Sequence, residues 1–542
     1  MVLIFAAAGM RFQPTARIEV LTNRYNNART GWNQYETSLH TGNVNAQHFG
    51  RLFDREVEGD IYAQPLIRRA VRIPGAGLRD IVYVATSSNR VYAYDAESPA
   101  ASKPYWRVGQ EVFGPPVLRS EVTDLDPPDS YHNFSSAIGI VATPVIDPAT
   151  NTLYVAAKSK SNDRQQFRLH ALDLSTGREK REMGSPVVLS ATSQGTGSGA
   201  ENGTVRFTPR KLLNRPGLLL AGGVVYLAFA GHSDGEPGRD FHGWILGYDA
   251  RTLRQVAAVC TTPDGAQGGI WQSGTGLASE TGEDGKQVIY AAVGNGDEKG
   301  RNLGQSILKL GPAPGMELQR RFTPADAALM NEKDLDISAG PVLIPNTRYV
   351  AACTKDGRCF FAERGTMELR QDLQAGEDSA GSNMAPNVHG APVVWRDAND
   401  SVFLYVWSEE DYLKRYRLDA GLFVLAGRST MMAPAHSMPG GILSVSSNGS
   451  KAGTAVLWAS LPASGDANND TVPGVLRAFD ASDISRELWN SEQEPRRDRP
   501  GMFAKFCPPV VANGKVYLAT FAEPGRANRL AVYGLLKPPN EY

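Results

Sequence analysis

The sequence predicts an all-β fold, an eight-bladed β-propeller built from four-stranded antiparallel blades. The 542-residue chain contains 55 glycines, about a tenth of its residues against a usual ~7%, which favours a fold with many turns. A hairpin pattern recurs along the chain: a β-branched or aromatic strand, a polar turn and a second alternating strand. A short apolar strand with small residues and proline precedes most of these hairpins.

The hairpins repeat at intervals of roughly 50 to 80 residues, a period typical of propeller blades. They begin at Ile81, Leu153, Val224, Val288, Arg348, Val402, Ala455 and Lys515. Many are followed by a fourth strand, such as ELWNSEQ at 487. We expect the small, proline-bearing strands, such as VATPVID at 141, to lie innermost, because bulky side chains do not fit where strands crowd at a hub.

The two ends of the repeat array predict how the ring closes. The last hairpin ends near Leu535 without a fourth strand, and RLFDREVEG at 51 has the fourth-strand pattern without a blade of its own. The N-terminal strand is therefore expected to complete the last blade, which removes open sheet edges. This gives an apolar leader or signal remnant in residues 1–20, an arm packed on the propeller in 21–49, and one propeller domain in 50–542.

Composition limits the partners and the location. The net charge is −1 and no long Lys or Arg run occurs, so no nucleic-acid partner is expected. No stretch approaches the ~20 apolar residues of a membrane helix, so no transmembrane segment is expected. The start, MVLIFAAAGMRF, resembles the tail of a secretory signal and predicts a periplasmic or secreted protein. The oligomeric state stays unknown.

Two of the four cysteines, Cys353 and Cys359, flank a DG turn in AACTKDGRCFF. A two-residue hairpin would pair position 353 with 360, so the two thiols would point to opposite faces of the sheet. A wider loop would let them meet. The sequence leaves open whether they form a disulfide.

Four phrases within the repeats, VYAYDAES, LHALDLSTG, LGYDARTL and LRAFDASD, resemble the repeat of pyrroloquinoline-quinone (PQQ)-type propellers. In that repeat a strand of the form YALDAxTG leads to a tryptophan, and Trp106 and Trp489 follow here. Segments such as GIVATPVIDPATNTLYVAAKSK and GGIWQSGTGLA also resemble a bacterial family of secreted, quinoprotein-like propellers, mostly without assigned function. The resemblance implies the fold, and it implies that the repeat's Asp and Trp brace neighbouring blades.

The resemblance to quinone-dependent alcohol dehydrogenases implies a vicinal disulfide over the quinone and a calcium ion held by acidic and amide side chains. This chain has no adjacent cysteines, and no set of positions reproduces the calcium ligands. We therefore expect no tightly bound PQQ. The cofactor stays unknown, with a divalent metal among the alternatives.

Long polar insertions predict a functional face at the mouth of the propeller channel. Five of the eight histidines lie in or beside them: His132, His232, His242, His389 and His436. Imidazoles brought together from different blades could bind a metal or act as catalytic acids and bases. A single loop histidine is more often a solvated or hydrogen-bonded group, and no HxH or HExxH spacing occurs.

Two further groups belong to the predicted site. Asp234 and Arg239 in the 231–243 loop could serve as an acid–base group and an anion clamp, although such a DGEPGR string is usually a solvated turn. Trp271, in GGIWQSG, is a candidate cofactor-binding residue that either stacks on a flat ligand in the channel or packs between blades.

The leading interpretation is an exported propeller that binds a small-molecule or polymeric ligand at the channel mouth, with catalysis by loop histidines, with or without a metal. Two alternatives from other classes stay open. One is a PQQ-dependent dehydrogenase-like oxidoreductase, and the other is a non-catalytic scaffold for protein partners. The sequence does not decide whether the protein is an enzyme.

Overall fold

Eight antiparallel sheets follow one another along the chain and form an eight-bladed propeller, which confirms the predicted fold. The computed structural model describes residues 18–125, 132–162, 164–234, 239–377, 386–434, 438–467, 469–523 and 525–537. Helices in these ranges are short: Gln110–Phe113, Ala327–Glu332 and Pro495–Asp498, with 3₁₀ turns at Arg119–Glu121, Arg181–Met183 and Pro209–Lys211. None of the described helices is long and apolar enough to cross a membrane.

Each blade runs from an inner strand at the hub to an outer strand at the rim. The strands of blade 1 are Leu66–Ile73, Gly77–Thr86, Arg90–Asp95 and Trp106–Val108; of blade 2, Val145–Asp147, Thr152–Ser161, Arg164–Asp173 and Val187–Val188; of blade 3, Leu219–Ala221, Val224–Gly231, Trp244–Asp249 and Gln255–Cys260; and of blade 4, Ala278–Thr281, Gln287–Val293, Ser306–Leu310 and Leu318–Phe322.

The second half of the ring repeats this order. Blade 5 has Ile337–Leu343, Tyr349–Thr354, Arg358–Glu363 and Leu369–Gln374; blade 6, Val393–Arg396, Val402–Val406, Tyr412–Asp419 and Leu422–Met432; blade 7, Ile442–Ser446, Val456–Pro462, Gly474–Asp480 and Asp483–Asn490; and blade 8, Val510–Ala512, Lys515–Leu518, Asn528–Leu535 and Phe49–Val57. Short accessory strands are Trp32–Asn33, Val117–Leu118, Ala137–Ile138, Thr192–Gln194, Thr204–Arg206, Leu212–Leu213, Met502–Phe503 and Thr520–Phe521.

The N-terminal strand closes the ring, as the sequence predicts. Phe49–Val57 pairs antiparallel with Asn528–Leu535 and is the outer strand of blade 8. The ring of Phe49 also packs edge-on against Trp489 of blade 7, with the ring centres 4.9 Å apart. The first strand of the propeller therefore ties the last two blades together.

The aspartate of the repeat phrases shapes a turn, and a tyrosine of the preceding blade donates a hydrogen bond to that turn. Asp249 accepts hydrogen bonds from the backbone N–H groups of Arg251 and Thr252. The hydroxyl of Tyr154, from blade 2, donates to the carbonyl of Ala250 at 2.5 Å. The same clamp joins other neighbouring blades through Tyr83 and Leu174, Tyr405 and Ala481, and Tyr517 and Ala96. The repeat signature thus has a packing role that needs no cofactor.

The N-terminal arm contacts the inner strand of every blade. Its contacts follow the chain order of the blades, from Val20 with Ile67 and Leu21 with Ile146, through Asn27 with Leu220 and with Ser279, Ala28 with Leu343, Thr30 with Val394 and Gly31 with Val445, to Asn33 with Val511. All of these contacts are backbone hydrogen bonds or bonds to a backbone group. The arm therefore winds once around the hub.

Two buried arginines hold the arm in place without a carboxylate partner in the described structure. Arg29 donates to the carbonyls of Leu277, Leu218 and Asn23 and to the hydroxyl of Thr22. Burial lowers the pKa of Arg29 to about 9, and the same holds for Arg24. Backbone carbonyls of several blades thus take the place of a counterion.

Cys353 and Cys359 form a disulfide, the alternative that a wider loop allows. The two cysteines lie directly opposite one another on neighbouring strands of blade 5. The turn has three central residues and ends at Gly357, whose φ of +82° is left-handed. This longer turn shifts the register by one residue and brings both sulfur atoms to the same face.

Candidate functional site

Two kinds of segment from each blade form the channel mouth. One is the segment that directly precedes the inner strand, which we call the lead-in, and the other is the loop between the second and third strands. The lead-in segments of opposite blades meet here. A Cβ atom on Gly274, in the lead-in to blade 4, would lie 2.7 Å from the carbonyl oxygen of Phe506, in the lead-in to blade 8. Polar side chains at this level therefore face a narrow, partly closed space.

A cluster of carboxylates lies at the mouth between blades 3, 4 and 5. Lys355 Nζ is 2.8 Å from Asp334 Oδ1 and 2.9 Å from Asp336 Oδ1. Asn295 donates to Asp334 at 2.5 Å and lies 3.5 Å from Asp234 Oδ2. We call Asp234, Asp334, Asp336, Asn295 and Lys355 the mouth cluster. Three carboxyl groups share one cation, so full ionisation would leave the cluster with two excess negative charges.

Two acids of the mouth cluster have raised pKa values, and burial is the first cause in both. Burial, followed by the charge of Asp336, raises the pKa of Asp234 well above its ordinary value. Burial also raises the pKa of Asp336, against the effect of Lys355. Burial alone would lower the pKa of Lys355, but Asp336 and Asp334 outweigh it and raise that pKa. The pKa of Asp234 is thus raised both by burial and by a neighbouring acid, which favours its protonated form.

Two neighbouring polar atoms at the mouth have no hydrogen-bond partner among the described residues. They are Asp234 Oδ1 and the indole Nε1 of Trp271, and both are buried. The indole of Trp271 lies within hydrogen-bonding reach of Asp234, and this contact opposes the rise of the pKa of Asp234. Buried polar groups are nearly always paired, so two such atoms side by side indicate a place for a water or a ligand atom.

His389 stands beside this cluster and is held by a carboxylate that the sequence reading missed. Its Nδ1 donates to Glu409 Oε1 at 3.0 Å. Asn387 donates to the other oxygen of Glu409, also at 3.0 Å. His389 lies near enough to Asp336 to lower the pKa of that acid. Glu409 therefore fixes the ring orientation of His389 at the edge of the mouth cluster.

His232 belongs to a separate buried chain of three titratable groups. Its Nδ1 lies 3.0 Å from both carboxylate oxygens of Asp124, and its Nε2 lies 3.0 Å from Lys158 Nζ. Lys158 also donates to the carbonyl of Leu212 at 2.8 Å. Burial, aided by the charge of Lys158, lowers the pKa of His232 to about 4, and burial lowers that of Lys158 to about 7.

The other predicted site residues are not brought together in the described structure. His242 is pinned by the carbonyls of Thr262 and Ser198, at 2.9 and 2.8 Å, and burial lowers its pKa. His132 and Arg239 are exposed. His436 lies outside the described residues. The roles of all these groups in binding or catalysis stay predictions.

Trp271 does not offer an open face on the side of Arg215. The guanidinium of Arg215 lies 5.0 Å from the Trp271 ring centre and 4.4 Å from that of Phe506. A quinone stacked on this face would have to displace the guanidinium. The disulfide pairs residues six apart and is buried inside blade 5, where it does not cover the mouth. These residues do not fit a quinone held as in the PQQ enzymes.

Several residues of the mouth were missed by the sequence reading because each stands in an ordinary-looking turn. Lys355 and Asp336 belong to a DG turn and to the start of an inner strand, and Glu409 to a short acidic turn. The signal that could have found them is position: each falls in a lead-in or in a loop between second and third strands.

Among the described residues, no three His, Cys, Asp or Glu side chains are arranged to hold a metal ion.

Solved structures similar to this chain include two quinohemoprotein alcohol dehydrogenases and a methanol dehydrogenase. A quinohemoprotein alcohol dehydrogenase from Pseudomonas putida HK5 superimposes with a TM-score of 0.61 at 13% identity, over 97% of this chain and 82% of that one. The enzyme from Comamonas testosteroni gives 0.59 at 13% identity and the same coverages, and a europium-containing methanol dehydrogenase gives 0.56 at 11% identity, over 95% and 98%.

No protein-family model and no curated protein matches the chain. At such low identity the structural likeness concerns the fold and carries no activity. The protein is an eight-bladed propeller with the architecture of the quinoprotein dehydrogenases.

Proposed function

We propose that the channel mouth binds a small hydroxyl-bearing molecule between Asp234 and Trp271, and that Asp234 exchanges a proton with it. The observation that carries this proposal is the pair of unpartnered buried atoms, Asp234 Oδ1 and Trp271 Nε1. A hydroxyl group both donates and accepts. One hydroxyl oxygen placed between them would accept from the indole and donate to the carboxyl group, and so would satisfy both.

The raised pKa of Asp234 supports a catalytic use of this contact. A buried carboxyl group that keeps its proton near neutral pH can act as a general acid, and its ionised form can act as a base. Asp336 and burial together raise the pKa of Asp234 in this direction. We infer a reaction in which a proton moves to or from a ligand oxygen at Asp234 Oδ1.

Lys355 and Glu409 do not contact the proposed ligand but act on the residues around it. Lys355 offsets one of the two charges of Asp334 and Asp336, and its ion pairs with them leave Asp234 without a direct cation partner in the mouth cluster. Glu409 holds His389 at the edge of the mouth cluster.

We infer that the protein works in an oxidising compartment outside the cytoplasm, because the disulfide between Cys353 and Cys359 is of a kind that is rare in reducing compartments.

The first test removes the indole N–H while keeping an aromatic ring. Trp271→Phe should weaken binding of propane-1,2-diol by about 3- to 10-fold, the effect of one hydrogen bond. The matched control is Trp395→Phe, because Trp395 Nε1 is also buried without a partner but lies in blade 6, stacked on Phe403. Equal effects of the two changes in a calorimetric titration would contradict the proposal.

The second test concerns the proton. Asp234→Asn should remove the pH dependence of diol binding that Asp234 gives the wild type, because the amide does not titrate. Asp284→Asn, an exposed position on a turn of blade 4, should leave that dependence unchanged. A pH profile identical in wild type and Asp234→Asn would show that Asp234 does not exchange a proton with the ligand.

A further inference from the structure

The disulfide of blade 5 closes the turn that carries the cation of the mouth cluster. Cys353 and Cys359 are bonded to each other, and Lys355 stands between them in the chain, two residues after Cys353. Its ammonium group lies 2.8 Å from a carboxylate oxygen of Asp334 and 2.9 Å from one of Asp336. The conformations open to this turn are therefore limited by a covalent bond as well as by the strand ladder.

The backbone of the same turn is bonded to two other segments of the mouth. The N–H of Lys355 donates to the carbonyl of Asp336 at 3.1 Å, and the N–H of Val388 donates to the carbonyl of Thr354, also at 3.1 Å. Asp336 belongs to the lead-in of blade 5, and Val388 directly precedes His389. A displacement of the turn would therefore move Lys355 relative to the carboxylate with which it pairs.

The turn is also held by ion pairs at its far end. Arg358 lies 2.7 Å from a carboxylate oxygen of Asp356 and 2.9 Å from one of Asp326. Such pairs weaken when a carboxylate takes up a proton, whereas the disulfide does not titrate. Cys353 and Cys359 are both fully buried and lie in the apolar core of blade 5. The disulfide is therefore a constraint beside Lys355 that does not change with pH.

We infer that the disulfide positions Lys355, holding its ammonium group between Asp334 and Asp336 at any protonation state of the mouth cluster. Cys353 and Cys359 are thus positioning residues of the mouth, in addition to their contribution to stability. Through Lys355 the disulfide also acts on Asp234, because the charge of Lys355 opposes the rise of the pKa of Asp234. This second step rests on the proposed function of Asp234.

A double-mutant cycle in urea unfolding at pH 8 tests the inference without any ligand. The loss of unfolding free energy caused by Lys355→Met should fall by about half when Cys353 and Cys359 are both replaced by alanine, because an untethered lysine makes weaker ion pairs. An equal loss with and without the disulfide overturns the inference. The pair Cys353→Val and Cys359→Ala keeps more of the buried volume and repeats the cycle should the alanine pair fail to fold.

Two controls separate positioning from a general loss of stability. Tyr83→Phe removes the hydrogen bond of 2.9 Å from the Tyr83 hydroxyl to the carbonyl of Leu174, between blades 1 and 2, and should leave the cost of Lys355→Met unchanged. Lys286→Met removes a cation from an exposed turn and should cost the same with and without the disulfide. If Tyr83→Phe reduces the cost of Lys355→Met as much as loss of the disulfide does, the inference is also overturned.

The pH dependence of propane-1,2-diol binding tests the consequence for Asp234. Without the disulfide its midpoint should rise by about 1 pH unit, because a loosened Lys355 opposes the raised pKa of Asp234 less strongly. If the cycle shows coupling but the midpoint stays, the positioning inference stands and proton exchange at Asp234 falls. If the midpoint moves without coupling, the inference is overturned and the proposed function stands. If the wild type binds no diol, the proposed function falls and the cycle alone decides the inference.

Discussion

Lys158 Nζ lies 3.0 Å from His232 Nε2, so two buried bases share a single hydrogen bond. The histidine accepts, because its other nitrogen donates to Asp124. The proton in this hydrogen bond is therefore carried by Lys158. Burial weakens the hold of the lysine on it and lowers the pKa of Lys158 to about 7. This arrangement has a measurable effect on stability.

Replacing Lys158 with methionine should flatten the pH dependence of stability above neutral pH. Between about pH 7 and 10.5 the unfolded chain keeps a proton on Lys158 that the folded chain has released, so this group makes the wild type more stable as pH rises. From pH 6 to 9 the difference in unfolding free energy between wild type and variant should change by about 3 kcal/mol. Urea unfolding at several pH values measures it, with Lys286→Met as the control. If the unfolding free energies of wild type and variant changed with pH in parallel, the lowered pKa of Lys158 would be contradicted.

Removing the cation of the mouth cluster should destabilise the protein most at high pH. Lys355→Met leaves Asp334 and Asp336 without their ion-pair partner, at a cost of about 3 to 5 kcal/mol near pH 8. The raised pKa of Asp336 means that this acid takes up a proton as pH falls, so the cost should shrink toward pH 5. The double variant Lys355→Met with Asp336→Asn should recover part of the loss. A loss independent of pH would show that Lys355 acts only by packing.

The disulfide of blade 5 should contribute about 2 kcal/mol, as expected for a short closed loop. Replacing both Cys353 and Cys359 with alanine should lower the unfolding free energy by this amount. A reductant should lower the stability of the wild type and leave the variant unchanged, because Cys260 and Cys507 are free thiols. A reductant effect on the variant would mean that another group is responsible. Urea unfolding with and without reductant is the measurement.

Arg29→Met should be the most damaging single change in the arm. It leaves the carbonyls of Leu277, Leu218 and Asn23 and the hydroxyl of Thr22 without their donor. Unpaired buried acceptors cost about 1 to 3 kcal/mol each, so a total loss of at least about 3 kcal/mol is expected in urea unfolding. Arg29→Lys should recover part of it. A loss below about 1 kcal/mol would mean that water replaces the guanidinium freely.

The fold could be predicted from local sequence pattern because seven of the eight blades are formed by consecutive residues. The alternation in the strands near Val224 and Trp244 and the unpaired strand at Phe49–Val57 predicted the blades and their closure. Whether Cys353 and Cys359 pair stayed open because one left-handed residue, Gly357, sets the register, and sequence does not give the number of turn residues reliably.

The site was harder to predict because its members meet only when the ring closes. The histidines drew attention by their chemistry, yet His242 is used to join two loop carbonyls. Asp336 and Lys355 stand in short segments without any unusual composition. Their significance comes from burial and from shared charge, which are properties of the assembled mouth. Asp234 was singled out within its loop, but its raised pKa comes from burial in the assembled mouth and then from Asp336 of another blade.

The arm that winds around the hub also sets the order in which the molecule can be completed. Its residues leave the ribosome before the blades, but the backbone groups that they bind are spread over the whole ring, as far as Val511. The strand Phe49–Val57 cannot reach its final position until its partner strand Asn528–Leu535 in blade 8 has been synthesised. The growing chain therefore carries an unpaired strand until the last blade is made, and ring closure becomes a late event. A truncated product that lacks blade 8 leaves this strand unpaired and exposes an open sheet edge.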